Sequence, residues 1–206
     1  MPQIKNIIFD LGGVLIDWNP EYVYLDVFNG DRQKMKWFFD NICTMDWNEN
    51  QDAGYPLAKA TQERVAMFPE HEELIRMYYG RWEEMLGEQI TPTVNLLKQL
   101  VDNDRLKVVA LTNWSAETWP VAIERFEFLQ WFEGIIVSGT EKMRKPFKEI
   151  YDLTLSRFDL IAEESIFIDD NARNIAAANK MGINGIHFTG ADVLISQLND
   201  FNIKID

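Results

Sequence analysis

The chain has 206 residues, 47% of them hydrophobic, which is enough for one large core or a core with a modest second lobe and excludes wholesale disorder. Its formal net charge of −13 argues against nucleic acid and anionic membrane surfaces as partners, so an anionic substrate needs local cations or a metal. The single cysteine, Cys43, excludes an internal disulfide framework and fits a reducing compartment. No run approaches the roughly 20 apolar residues of a membrane span, and the segment before Asp10 has no signal-peptide character. The expectation is a cytoplasmic protein with no membrane or nucleic-acid partner and an oligomeric state that the sequence leaves open.

Lys5 to Phe9 reads as a buried strand that stops abruptly at Asp10-Leu11-Gly12-Gly13. Carboxylates are rarely placed at the end of a buried strand unless paired or reactive, and the two glycines suit a shaped turn. Asp17 is read as a cap on the turn into the next region. From Pro20 to about Leu86 the pattern is helical. Pro20-Glu21 opens one helix with Tyr22, Leu25 and Phe28 at helical spacing, and Asp31 caps a second containing Met35, Trp37, Phe38 and Phe39. Pro56 to Met67 and Glu70 to Leu86 give two more, interrupted at Phe68-Pro69. No strand is predicted in this stretch, and its aromatic residues read mainly as packing.

Strands and helices alternate after Ile90. Thr91-Pro92 opens a helix through Leu96, Leu97 and Leu100, and Lys107 to Leu111 forms a strand ending at Thr112-Asn113. Ser115 caps a helix to about Phe126, its start displaced by Pro120. A short strand over Gly134 to Val137 leads into a loop from Ser138 to Pro146, and Phe147 to Phe158 is helical. Ser165 to Ile168 is a strand ending at Asp169-Asp170, and Asn171 starts a helix to Met181 closed by Gly182. A strand over Gly185 to Phe188 and a helix over Ala191 to Leu198 complete the chain. Such alternation predicts an α/β fold, a doubly wound parallel sheet covered on both faces, with an inserted all-helical region.

In a parallel sheet the carboxyl ends of the strands share one edge. Asp10, Thr112-Asn113 and Asp169-Asp170 therefore converge, joined by a loop carrying Arg144-Lys145-Pro146. Three close carboxylates repel one another unless a cation intervenes, either Lys145 or a hard divalent ion such as Mg²⁺. The Thr112 hydroxyl and Asn113 N–H suit phosphoryl oxygens. One Asp would then attack phosphorus while Mg²⁺ and Lys145 neutralise charge.

Phe9-Asp10-Leu11-Gly12-Gly13-Val14-Leu15, Leu111-Thr112-Asn113, Lys145-Pro146 and Ile168-Asp169-Asp170-Asn171 resemble the four motifs of the haloacid dehalogenase (HAD) superfamily. The helical insertion after the first motif resembles its type-1 cap, and the motif set is most like that of bacterial α-glucose-1-phosphate phosphatases. The resemblance implies a Rossmann-like HAD core over residues 1–17 and 88–206, with a helical cap over 18–87. By position, Asp10 resembles the nucleophile that becomes aspartyl-phosphate, Thr112 and Asn113 the phosphate-binding pair, and Lys145 the charge-balancing lysine. Asp170 resembles a direct Mg²⁺ ligand, with Asp169 at or just outside the coordination shell. Asp10 and the backbone carbonyl of Gly12 complete the implied metal set. The implied activity is Mg²⁺-dependent hydrolysis of a small phosphorylated metabolite, with a sugar phosphate favoured.

The chain departs from that pattern at Gly12, where most phosphatases of the superfamily carry a second Asp as general acid and base. General acid catalysis is worth roughly 10²–10⁴ in rate. Either the substrate has a good leaving group or a cap residue substitutes, with Asp46, Glu49, Asp52 and His71 as candidates. Asn174 also replaces a common acidic residue. Two alternatives stay open: a metal-independent haloacid dehalogenase, and a catalytically idle binding module. Trp114 is the aromatic expected nearest the substrate, while Trp18, Trp47 and Tyr55 are candidates to line the underside of the cap.

Overall fold

The computed structural model describes residues 3–205. Its centre is a five-stranded parallel sheet of β1 (Asn6–Phe9), β4 (Lys107–Thr112), β5 (Ile135–Val137), β6 (Ser165–Asp169) and β7 (Asn184–His187), in the order β5-β4-β1-β6-β7. A second sheet pairs β2 (Ile16–Trp18) with β3 (Leu86–Gln89) in antiparallel fashion.

The short apolar runs of the sequence are long enough for strands and are buried on both faces. In β1, Ile7 and Phe9 join one apolar cluster while Ile8 joins the other. Val108 and Ala110 alternate with Val109 and Leu111 in β4, and Ile166 and Ile168 with Phe167 in β6. Two helices bring Leu96, Leu97, Leu100, Leu194 and Leu198 to the first face: α7 (Thr91–Val101) and α12 (Ala191–Asp200). On the second face α10 (Lys148–Arg157) and α11 (Ala172–Lys180) bring Ile150, Tyr151, Ile175 and Ala178.

Between β2 and β3 lie α1 (Glu21–Val27), α2 (Arg32–Asn41), α3 (Met45–Asp52), α4 (Leu57–Met67), α5 (Glu72–Gly80) and α6 (Trp82–Met85). They build a third apolar cluster of their own around Val23, Tyr24, Met35, Phe38, Ile75, Tyr78 and Met85. Asp31 caps α2 by accepting from the Lys34 N–H at 3.0 Å. The sequence reading omits α3, which carries no apolar stripe and is capped by Thr44 on the Trp47 N–H. It also omits the β2–β3 ribbon at the root of the insertion, whose strands are short and whose second strand is largely exposed.

In the second half, α8 (Trp119–Arg125) starts after Ser115, with Pro120 in its first turn, as the proline implies. Within the loop expected from Ser138 to Pro146, Ser138–Glu141 forms one helical turn, α9. Asn171 caps α11 through the Arg173 N–H, and Gly182 follows it at φ +82°.

The order β5-β4-β1-β6-β7 puts β1 at the centre, and the chain builds outward on one side before crossing to the other. That reversal makes a crevice at the carboxyl end of β1, where parallel α/β sheets bind ligands.

Candidate active site

The strand registers place the polar groups side by side. Phe9 pairs with Ala110 on one side and Ile168 on the other, so Asp10 follows into the gap between the ends of β4 and β6. Lys145, on the loop after α9, fills that gap with its side chain fully buried. Its Nζ lies 2.8 Å from Asp10 Oδ2, 2.7 Å from Asp169 Oδ2 and 3.2 Å from the Leu111 carbonyl. The Lys145 loop is held by Asn113, whose Oδ1 accepts from the Lys145 N–H at 2.9 Å and whose Nδ2 donates to the Lys145 carbonyl at 3.1 Å. The Lys145–Pro146 peptide is cis. The Asn113 side chain thus holds the lysine in place.

The three acidic side chains differ in how fully they are engaged. Asp169 accepts from Lys145, from the Asn171 N–H at 2.7 Å, and from Asn174 Nδ2 at 3.0 Å to both oxygens. Asn174, where an acid is common, acts as a neutral donor that anchors Asp169. Asp10 Oδ1 accepts from the Leu11 N–H at 2.8 Å, leaving lone pairs on both oxygens. Asp170 is the more exposed carboxylate of the cluster. Burial pushes the Asp10 carboxyl well up from its ordinary range, opposed by Lys145 and reinforced by Asp169 and Asp170. Burial and the neighbouring Asp169 raise Asp170 as well. Burial works against the Lys145 ammonium, but the two carboxylates outweigh it, so the lysine stays charged.

Oxygens of Asp10, Asp169 and Asp170 lie within 4.8 Å of one another. Three carboxylates against one ammonium leave two negative charges in excess. Hard oxygen donors at this separation with uncompensated negative charge fit a hard divalent cation. Gly13, at φ +73°, closes the turn beneath them, and a Cβ there would lie 2.4 Å from Asp170 Oδ2.

This cluster opens into a cavity of about 570 Å³ between the helical insertion and the sheet. Asp10, Gly12, Asn113, Trp114, Lys145 and Asp170 line it, whereas Thr112 is buried at the end of β4 and does not. The insertion contributes Trp18, Met45, Asn48, Glu49, Asp52, Tyr79 and Trp82. Trp114 packs edge-on between Trp82 and Trp119, each with ring centroids 5.7 Å away. The buried indole N–H groups of Trp18 and Trp114 have no hydrogen-bond partner among the described residues.

Of the aromatics expected under the cap, only Trp18 lines this cavity. Trp47 packs against Tyr78 and Tyr79, and both Trp47 and Tyr55 border a different hollow. Asp17 accepts from the Tyr22 hydroxyl and stays outside the cavity. Sequence reasoning missed His187, at the end of β7, whose Nε2 lies 2.9 Å from the Asp170 carbonyl. It also missed the clamp that joins insertion and core, in which Glu49 of α3 pairs with both Arg144 and Arg173. Neither leaves a local signal, because each depends on a partner distant in sequence.

Residues 7–188 match the family model described as haloacid dehalogenase-like hydrolase. The chain is 27% identical over 199 residues to a sesquiterpene phosphatase of Aspergillus oryzae, covering 90% of each chain. It is 24% identical over 190 residues to a phosphorylated carbohydrates phosphatase of Thermotoga maritima, covering 89% of this chain and 84% of that one. A HAD family enzyme of Bacteroides thetaiotaomicron, solved with magnesium and inorganic phosphate, superimposes with a TM-score of 0.68 at 24% identity, covering 90% of this chain and 94% of that one. With its Rossmann-like parallel sheet and a family match that spans most of its length, the chain belongs to the haloacid dehalogenase-like hydrolases.

Proposed function

We propose that the protein is a Mg²⁺-dependent phosphatase acting on a small phosphorylated metabolite, with a sugar phosphate as the favoured class, through an aspartyl-phosphate on Asp10. The observation that carries this reading is the Asp10–Lys145–Asp169 triad beside Asp170, a carboxylate cluster with net negative charge whose Asp10, Lys145 and Asp170 line the cavity. Without a divalent cation such a cluster repels any anion, phosphate or haloacid alike. Asp10, Asp170 and the Gly12 carbonyl would hold Mg²⁺, and Asp169 would sit behind them. When bound, the metal supplies charge neutralisation for the phosphoryl oxygens.

Asp10 attacks phosphorus with the lone pairs left free by Leu11 and Lys145. Lys145 opposes the upward push of burial on that carboxyl and offers a positive charge to the transferring group. Asn113 positions the lysine loop with its side chain and offers its backbone N–H to phosphoryl oxygens at the cavity wall, whereas Thr112, buried behind it, does not face the cavity. Residues 18–87 act as the cap that closes over a core of residues 1–17 and 88–206, with Glu49 clamping it to Arg144 and Arg173.

The sugar-phosphate class is supported by the cavity lining. Trp18, Trp82 and Trp114 supply apolar surface, while Asn48, Ser115 and Thr118 supply hydrogen bonding for hydroxyls. A relative named for phosphorylated carbohydrates agrees with this choice. The test is a hydrolysis screen over sugar phosphates, nucleotides, acyl phosphates, isoprenoid phosphates and a 2-haloacid, with Mg²⁺ and with chelator. Sugar-phosphate turnover lost on chelation is expected. Haloacid turnover that survives chelation would replace this reading with dehalogenation, and inactivity towards every phosphate would overturn it.

A further inference from the structure

An alkyl phosphate cannot release its alcohol readily unless a proton reaches the departing oxygen. The titratable side chains lining the cavity are Asp10, Glu49, Asp52, Tyr79, Lys145, Asp170 and His187. Asp10 and Lys145 are committed to each other, and His187 is tied to the Asp170 carbonyl. Glu49 is paired with two arginines. Tyr79 donates its hydroxyl proton to Asn48 Oδ1 at 3.0 Å, and burial keeps that phenol protonated. Asp170 belongs to the proposed metal set. One group is left.

Resting on the phosphatase reading, we propose that Asp52 of the cap is the general acid and base of the reaction. Asp52 lies at the end of α3, where the spacing of four residues puts it on one face with Asn48. Asn48 Nδ2 donates to Asp52 Oδ2 at 3.0 Å, Tyr79 donates to Asn48, and Gln51 Nε2 donates to Tyr79 at 3.1 Å. Asn48, Gln51 and Glu49 are all buried, so the network fixes the carboxyl rather than leaving it to solvent. Ser138 Oγ donates to the Asp52 carbonyl and anchors the helix end to the core. Glu49 draws away Arg144 and Arg173, so Asp52 lines the cavity with no ion pair among the described residues.

That setting favours the protonated form. Burial, then the Glu49 charge, lifts the Asp52 carboxyl to about 7, against the pull of Arg144, the Ser115 backbone and Lys145. Tyr78 and Tyr79 face it from α5 as neutral phenols. The other cap candidates do not meet these conditions. Asp46 is 84% exposed, and His71 packs tilted against Trp37 and edge-on to Phe38 outside the cavity.

In the first step the Asp10 carboxylate bonds to phosphorus, the ester P–O bond breaks, and the Asp52 proton goes to the departing oxygen. In the second, water attacks the phosphorus of aspartyl-phosphate, its proton goes to the Asp52 carboxylate, and phosphate leaves. Asp10 is again a carboxylate and Asp52 again an acid.

Gly12 provides an internal control of the assignment. A Cβ there would meet nothing within 4 Å, so an acid introduced near Asp10 has room. The experiment compares wild type, Asp52→Asn, Gly12→Asp and the double variant on glucose 6-phosphate and on p-nitrophenyl phosphate, whose leaving group needs little protonation. Asp52→Asn is expected to lower kcat on glucose 6-phosphate by about 10²–10⁴-fold and on the aryl ester by less than about tenfold. It should also abolish the fall in rate above about pH 7. Adding Gly12→Asp should restore at least about tenfold on glucose 6-phosphate. Asp52→Ser gives the same comparison should Asp52→Asn misfold. Equal losses on both esters, an unchanged alkaline limb, or no recovery in the double variant would overturn the assignment. So would a wild type that hydrolyses only the aryl ester. A wild type inactive on both esters and on every phosphate of the substrate screen overturns the phosphatase reading, and the assignment falls with it.

Discussion

Lys145→Met removes the one ammonium that two buried carboxylates share while keeping most of the side-chain volume. The native lysine sits 2.8 Å from Asp10 and 2.7 Å from Asp169 with no exposed side-chain surface. Breaking a buried pair by deleting one partner costs roughly 3–5 kcal/mol, because the remaining charge is uncompensated. The cost should depend on pH. Lys145 opposes the upward push of burial on Asp10, so its removal raises that carboxyl further. Above the unfolded carboxyl range near 4, the native variant then holds a proton that the unfolded chain has released. Its stability therefore falls as pH rises, by about 1.4 kcal/mol per pH unit for one extra bound proton, until the raised pKa is passed. Urea unfolding at pH 5, 6, 7 and 8 in the absence of divalent metal should place the variant nearest wild type at pH 5 and furthest at pH 8. A loss under about 1 kcal/mol at pH 8, with no added slope, would refute the charged triad, since it lies well below the range for a broken buried pair.

Gly13→Ala should weaken Mg²⁺ binding, since its Cβ would lie 2.4 Å from Asp170 Oδ2 at a φ of +73°. A 10–100-fold rise in the half-saturating Mg²⁺ concentration is expected, as for other substitutions that misplace a ligand. An unchanged Mg²⁺ curve would remove Asp170 from the metal set. Glu49→Gln should unfasten the cap, because Arg144 and Arg173 lose their shared carboxylate. A cost of about 1.5–3 kcal/mol in urea unfolding is expected, together with a raised KM. A variant with wild-type KM and stability would show that the clamp does not hold the cap.

The sheet was legible because β1, β4 and β6 are short apolar runs ending in polar residues, and burial on both faces leaves that pattern in the sequence. The same feature marked Asp10, Asn113, Asp169 and Asp170, since a parallel sheet delivers all its strand ends to one edge. The α3 helix was not legible. Met45–Asp52 buries Asn48, Glu49 and Gln51 against polar partners, so a test for apolar periodicity finds nothing there. Periodicity also cannot say which way an aromatic faces, and Trp47 and Tyr55 turned away from the cavity while Trp18 lined it. The choice among acidic cap residues depends on which of them takes the arginines. Arg144 and Arg173 lie far from Glu49 in sequence and leave no mark near it.

The most direct test of the account is covalent capture at Asp10. The protein is mixed with substrate and Mg²⁺, quenched, reduced with borohydride and digested, and the peptide containing Asp10-Leu11-Gly12-Gly13 is sequenced by mass spectrometry. The account predicts homoserine at position 10, formed by reduction of aspartyl-phosphate, and no such label in Asp10→Asn or without Mg²⁺. Turnover by the wild type with Asp10 unmodified, or with the label on Asp169 or Asp170, would contradict it.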